Sequence, residues 1–136
     1  MLFRLFTATL LLTTPAFADV WSFATPSGNI ECWVGEDFNG SDITCTIFQR
    51  SHPARVPQLA GCPLNQGVTF FMNDTGSVQA NCTPPSERPA GGQSVANYGV
   101  SSDFGGFSCH SATSGLQCRN LDGHGFHLSR ANQQMF

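Results

Sequence analysis

The chain has 136 residues, of which six are basic and nine acidic, and its formal net charge is −3. Charged residues make up 11% of the chain, against about 25% in an ordinary soluble domain. All six basic residues are arginines and they form no cluster, whereas nucleic acids and anionic membrane surfaces attract fields of Lys and Arg. The composition therefore excludes nucleic acid and anionic membrane surfaces as partners.

The first eighteen residues have the pattern of a secretory signal peptide. Arg4 precedes the apolar run Leu5–Leu12, and Ala16-Phe17-Ala18 is a small-x-small cleavage site. The run is too short to span a bilayer, which takes about 20 apolar residues, and no later stretch is a better candidate for a membrane span. We expect cleavage near Ala18, a secreted or periplasmic location, and a single β domain over residues 19–136.

Two alternating segments, residues 29–34 and 43–47, predict a first β-hairpin around the polar loop 35–42. In the register that sets Cys32 opposite Cys45, the apolar residues two positions away on each strand also face each other. Register is normally specified by such matched apolar positions. We therefore predict a disulfide between these two cysteines across the hairpin.

A second hairpin is predicted from strands at residues 68–72 and 77–82, which flank the turn sequence Asn73-Asp74-Thr75-Gly76. Cys62 lies just before the first of these strands, and we expect it to pair with Cys82. In an oxidising compartment, an even number of cysteines indicates a disulfide framework.

A third hairpin is predicted from residues 107–109 and 116–118, with Ser111–Gly115 as its turn. It sets Cys109 opposite Cys118, which is the third expected disulfide. By chain-entropy estimates each bridge contributes about 2.5–3.5 kcal/mol, so together they compensate for the modest core of a small chain.

Two segments are predicted to be loops because they are rich in proline and glycine: Ser51–Pro63 and Thr83–Gly92. Residues 129–136 are the best candidate for a helix, with Ser129 as its N-cap. The predicted fold class is mainly β, a small antiparallel sheet or sandwich stapled by disulfides, with a short C-terminal helix.

Two blocks of the chain carry a resemblance to a known family. The first runs Phe23-Ala24-Thr25-Pro26-Ser27-Gly28-Asn29-Ile30-Glu31-Cys32, and the second is residues 114–130, which include Gly123-His124-Gly125-Phe126 and Leu128-Ser129-Arg130. They resemble the N- and C-terminal signatures of a family of small secreted bacterial proteins of unknown function. The resemblance implies a secreted bacterial domain and transfers no catalytic or ligand residue.

A metal site is one interpretation of Asp122, His124 and His127, since two imidazoles and a carboxylate suit zinc or copper. His110 could approach them if its hairpin packs nearby. On one extended strand, however, His124 and His127 point to opposite faces. The alternative interpretation is structural: the neighbouring glycines shape the backbone, and His124 hydrogen-bonds a loop and fixes the terminal segment.

Trp33 and His124 are the candidate partner-binding residues. On the first hairpin, Trp33 points away from the face that carries Cys32. It is therefore either an exposed aromatic suited to a protein or glycan, or it is buried within a two-layer sandwich. The sequence does not choose between these alternatives.

No catalytic constellation is expected. The chain has no Gly-x-Ser-x-Gly elbow, no lysine, and an even number of cysteines, which leaves no free thiol. The leading hypothesis is a non-enzymatic module without a cofactor that binds a protein or an envelope glycan. The second hypothesis is a metal-binding protein that uses Asp122, His124 and His127.

Overall fold

The structure is a computed structural model that describes residues 19–82 and 94–136. The expected signal peptide and the expected loop at Thr83–Gly92 lie outside the described residues. The described chain forms eleven strands: β1 (Asp19–Ala24), β2 (Ile30–Asp37), β3 (Gly40–Ile47), β4 (Val68–Asn73), β5 (Gln79–Asn81), β6 (Ser94–Val95), β7 (Ser101–Phe104), β8 (Phe107–Ala112), β9 (Gly115–Arg119), β10 (Gly125–Leu128) and β11 (Gln133–Met135).

The strands form two sheets. The first has the order β5-β4-β3-β2-β1-β6, and the second has the order β11-β10-β9-β8-β7. Every pairing is antiparallel except that of β1 with β6, which is parallel. The mainly β fold class is confirmed. Within the described ranges, no helix is long and apolar enough to cross a membrane.

The first hairpin has the predicted register. Cys32 faces Cys45 across β2 and β3, and the apolar residues two positions away on each strand face each other as well. The two cysteines are bonded, with 4.1 Å between their Cα atoms, a separation typical of the closely spaced pairs of an antiparallel ladder. Both side chains are fully buried, so the bridge is part of the core.

The other two disulfides are also as predicted. Cys109 and Cys118 face each other across β8 and β9 with a Cα–Cα distance of 4.1 Å. Cys62 pairs with Cys82, across 5.6 Å between the Cα atoms, and so fixes the long connection between β3 and β4 to the end of β5. Each bridge stays within one sheet or its adjoining loop, and the sheets are held together by packing.

A single hydrophobic cluster fills the space between the two sheets. The rings of Phe70 and Phe126 lie 5.8 Å apart, and Trp21 meets Phe104 edge-on at 4.7 Å. These contacts join one sheet to the other. Burial of a large apolar side chain contributes about 1.5–3 kcal/mol, and edge-to-face aromatic pairs add to that, so these side chains stabilise the sandwich.

The predicted C-terminal helix is wrong. Ser129 makes the local bond expected of an N-cap, because its Oγ accepts a hydrogen bond from the N–H of Asn132 at 3.1 Å. The backbone groups of the same two residues also bond to each other, at 2.8 and 3.3 Å. They therefore close a tight hairpin turn, and the chain returns along β10 as β11, with Gln133 fully buried. The hydrogen bonds to the edge of β10 therefore stabilise a strand here, although the local sequence favours the start of a helix.

The connections lie at two opposite ends of the sandwich. The upper end carries the turns between β1 and β2, between β8 and β9, and between β10 and β11. The lower end carries the connections between β2 and β3, between β4 and β5, between β7 and β8, and between β9 and β10. Most of the candidate chemistry lies at one of these two ends.

Candidate functional site

Asp122 and His124, two of the predicted metal ligands, lie in the connection between β9 and β10 and form separate hydrogen bonds. The Asp122 carboxylate accepts a bond from the backbone N–H of Gly76 at 2.7 Å. His124 Nδ1 lies 3.3 Å from the carbonyl oxygen of Phe136. Asp122 thus binds the turn between β4 and β5, whereas His124 contacts the C-terminal residue.

His127 and His110 lie elsewhere. His127 Nε2 bonds with the carbonyl oxygen of Ser114 at 3.1 Å, in the upper turn between β8 and β9. His110 Nδ1 is 2.6 Å from Ser101 Oγ on the neighbouring strand. In residues 19–82 and 94–136, no group of three or more His, Cys, Asp or Glu side chains could hold a metal ion. The structure does not bring the predicted ligands together.

Asn120 organises the connection that the sequence analysis singled out. It is only 6% exposed, and its Nδ2 donates to the carbonyl oxygens of Asn73 (3.0 Å) and Gly76 (2.8 Å) on the other sheet. Its Oδ1 accepts from the N–H groups of Asp122 and His124, both at 3.1 Å. The segment therefore joins the two sheets at the lower end, in line with the structural interpretation.

Trp33 is buried, with 8% of its surface exposed, so the exposed alternative does not describe it. It also lies outside the cluster between the sheets, because it points to the opposite face of β2 from Cys32. Its Nε1 is buried and has no hydrogen-bond partner among the described residues, and such a group costs free energy.

A cleft of about 430 Å³ opens at the upper end, and we call it the turn cleft. The three upper turns and Tyr98 form its walls. Both blocks that carry the family resemblance contribute to it, although they are separated by most of the chain. Its lining is Thr25, Ser27, Asn29, Ile30, Tyr98, Ala112, Thr113, Ser114, Gly115, Leu128, Ser129, Arg130 and Ala131.

The first wall of the turn cleft follows from its local sequence. Thr25-Pro26-Ser27-Gly28 is a β-turn in which the N–H of Gly28 donates to the carbonyl of Thr25 at 2.8 Å. Proline suits the second position of such a turn and glycine the fourth, and Gly28 has a φ of 72°. The Thr25 hydroxyl also accepts from the N–H of Ile30 at 3.3 Å. The turn is thus held rigidly against β2.

A second, smaller cleft of about 240 Å³ adjoins the first, and we call it the arginine cleft. Arg130 lines both. Asn29 also connects them, because it lines the turn cleft while its side chain exchanges two hydrogen bonds with the backbone of Gln49, at 3.0 and 2.9 Å. The arginine cleft is lined by Gln49, Arg50, Ser51, Leu64, Asn65 and Arg130.

Arg50 is the functional candidate that sequence reasoning missed. It lies three residues after the end of β3 and is only 5% exposed. Its Nη2 donates to the carbonyl oxygens of Cys62 (3.1 Å) and Pro63 (2.9 Å). Burial lowers the pKa of this guanidinium, because the charged form is poorly solvated there. No local sequence pattern distinguishes it from a solvated loop arginine.

The lower end has the opposite charge. A cleft of about 340 Å³ is lined there by Asp37, Asp42 and Asp74 with neutral neighbours. Burial raises the pKa of Asp42, and the charge of nearby Asp37 raises it further. The two ends of the sandwich therefore present ligands with different electrostatic environments.

An apolar cavity of about 160 Å³ lies where β1 and β6 meet the second sheet. Its walls include Trp21, Phe23 and Phe104, which also belong to or pack against the hydrophobic cluster. Three serine residues contribute to the lining, and among the described residues no charged side chain does. It is an extension of the core, and we do not assign it a ligand.

The fold and these clefts define a small disulfide-bonded β-sandwich with two adjoining clefts at one end. The model of a family of unknown function (DUF6636) matches residues 5–136, and the chain belongs to that family. No curated protein and no solved structure matches the chain.

Proposed function

We propose that the protein is a non-catalytic, secreted or periplasmic module that binds an envelope glycan in the turn cleft. The observation that carries the proposal is the lining of this cleft, in which serine and threonine residues, Tyr98 and Arg130 surround a single concave volume. Binding sites for small ligands are concave, with a few polar groups that fix orientation.

The chemistry of the lining favours a sugar. Ser27, Thr113 and Ser114 carry hydroxyls at exposed positions, and a hydroxyl both donates and accepts hydrogen bonds. Tyr98 is 45% exposed, so its ring can cover the apolar face of a sugar ring while its hydroxyl remains in water.

A protein partner is less well supported. The most exposed large apolar side chains are Phe38 at 86% and Leu121 at 68%. Both lie at the lower end, away from the turn cleft, and single exposed apolar residues are normal on a protein surface.

The secreted location is supported by the sequence pattern of residues 1–18 and by the disulfides. All six cysteines are paired in the structure. Disulfides form and persist in oxidising compartments and are rare in the cytosol. The three bridges therefore fit a protein that acts outside the cytoplasm.

The non-catalytic assignment is supported by the surroundings of the histidines. Ser101 and His110 are in contact as a nucleophile and a base would be. Both are exposed on neighbouring strands and line none of the clefts described above. Within the described residues, no carboxylate is hydrogen-bonded to His110. A serine triad also needs an orienting carboxylate and an oxyanion site.

Retention on purified peptidoglycan sacculi, measured by co-sedimentation, tests the proposal. We expect the intact protein to sediment with the sacculi and Tyr98→Ala to lose most of this retention. Phe38→Ala is the matched control, since it removes an exposed aromatic at the lower end, and we expect it to be retained. Failure of the intact protein to sediment would contradict peptidoglycan as the glycan, and equal losses in both variants would contradict binding in the turn cleft.

A further inference from the structure

We infer that the arginine cleft binds a carboxylate of the same ligand, so that the glycan is an acidic one, with charged sugars of the uronic acid type. This inference rests on the proposed function. It assigns Arg130 direct contact with the carboxylate, and it assigns Arg50 the role of a fixed positive charge at the wall of the cleft.

The first observation is the incomplete pairing of Arg50. Its Nε and Nη1 are buried and have no hydrogen-bond partner, and in the described part of the chain its guanidinium bonds only to two carbonyl oxygens. A buried charge is costly unless an opposite charge compensates for it. An anion in the adjoining cleft would supply that compensation.

The second observation is the position of Arg130. Its side chain is exposed, and it has no hydrogen bond or ion pair with another side chain in residues 19–82 and 94–136. The backbone around it is nevertheless fixed, because its carbonyl oxygen accepts from the N–H of Ser51 at 2.8 Å. Because the turn is fixed, the planar guanidinium of Arg130 can donate two parallel hydrogen bonds to one carboxylate.

The third observation is the absence of competing acids. In the described part of the chain, no Asp or Glu lines the arginine cleft or the turn cleft, although the chain as a whole has a net charge of −3. Asp37, Asp42 and Asp74 lie at the other end of the sandwich. The described residues that line these two clefts therefore carry positive charge and no negative charge. An acidic ligand is attracted to such a lining and is repelled by the acidic cleft at the other end.

The two guanidiniums act differently. Nε and Nη1 of Arg50 have no accessible surface, so Arg50 acts on a ligand through its charge and not through a direct hydrogen bond from these atoms. Arg130 is exposed and also lines the turn cleft. It can therefore contact a carboxylate on a sugar whose hydroxyls lie against Ser27 and Ser114.

The test compares an oligomer of galacturonic acid with its methyl ester, which keeps the hydroxyl groups and lacks the charge. Binding is measured by isothermal titration calorimetry. We expect the acid to bind about tenfold more tightly than the ester, which corresponds to one charge-assisted contact. Arg130→Gln should remove this preference. Arg55→Gln, which makes the same charge change at an exposed position outside both clefts, should keep it.

The outcomes separate this inference from the proposed function. If the acid and the ester bind equally well and Tyr98→Ala loses this binding, the carboxylate site is contradicted. The proposed glycan site in the turn cleft is then still supported. Binding of an acidic peptide in preference to either oligomer would overturn the acidic glycan. If no oligomer and no sacculus binds, the proposed function itself fails.

Arg50 is tested separately, because a buried residue can affect folding. Arg50→Met keeps a long unbranched stem and removes the charged guanidinium. We expect the variant to fold and to lose most of the stabilisation that the acid gives the intact protein in thermal unfolding. If Arg50→Met does not fold, the Arg130→Gln comparison still decides the inference. If it folds and is stabilised fully by the acid, the role of Arg50 is overturned.

Discussion

Asn120 and Gly76 are separated by 44 residues in the chain, yet Asn120 Nδ2 donates to the Gly76 carbonyl oxygen at 2.8 Å. The bond crosses from one sheet to the other at the lower end. A second bond runs the other way, because the Asp122 carboxylate accepts from the N–H of Gly76. The lower end is therefore tied by polar contacts between the sheets, whereas the upper end contains the turn cleft and the arginine cleft.

Asn120→Ala is expected to destabilise the protein by about 3 kcal/mol, because it removes four part-buried hydrogen bonds, each of which contributes about 0.5–1.5 kcal/mol. The measurement is chemical denaturation. Asn97→Ala is the control, since Asn97 is exposed, and its effect should stay within about 0.5 kcal/mol. Similar losses in the two variants would contradict the role of Asn120.

Gly125→Ala is expected to cost at least about 3 kcal/mol, because a Cβ at this position would overlap the carbonyl oxygen of Cys118. Backbone atoms cannot move aside as a flexible side chain does. Gly35→Ala is the control, as its Cβ would meet only the Asp42 carboxyl, at 3.2 Å, and we expect a change of less than about 1 kcal/mol. Denaturation midpoints of the two variants, which both lie in strands, give the comparison.

Replacing both His124 and His127 by alanine is expected to lower stability by about 0.5–1.5 kcal/mol for each bond lost. Added Zn²⁺ should change the thermal unfolding of the intact protein and of the double variant equally, because the two rings bond to separate segments. A rise in unfolding temperature with zinc that the double variant lacks would instead support the metal hypothesis.

Asp42 is expected to titrate above its ordinary pKa of 3.8, first because of its burial and then because of Asp37. A raised folded-state pKa means that the folded protein binds more protons than the unfolded chain. This group therefore lowers stability as the pH rises through its pKa, and acidification relieves the effect. NMR titration of Asp37→Asn should show the pKa of Asp42 lowered but still above 3.8. An unchanged pKa would exclude the contribution of Asp37.

The hairpins could be predicted because each is encoded locally. Cys32 and Cys45 sit in short alternating segments around one loop, so period-two patterning specifies both the faces and the register. The same holds for Cys109 and Cys118. The C-terminal strand could not be predicted, since Ser129 makes the same local bond at a helix start and in a tight turn, and the choice depends on the edge of β10.

The clefts could not be predicted from the sequence. Arg50 and Arg130 are separated by 80 residues, and they share a cleft only because strands from both sheets end there. The parallel pairing of β1 with β6 is likewise a long-range contact. A metal site could be hypothesised for residues 122–127 because histidine side chains are common metal ligands. Asn120 organises that segment, but an asparagine has no comparable sequence signature.

The pairing of the cysteines divides the chain at residues 83–93. Two disulfides, Cys32–Cys45 and Cys62–Cys82, have both cysteines before this segment. The third, Cys109–Cys118, has both cysteines after it. A single peptide-bond cleavage between residues 82 and 94 would therefore leave two pieces with no covalent link. Denaturant alone would separate them, without a reductant, whereas pieces cut between residues 62 and 82 would stay joined until that disulfide was reduced.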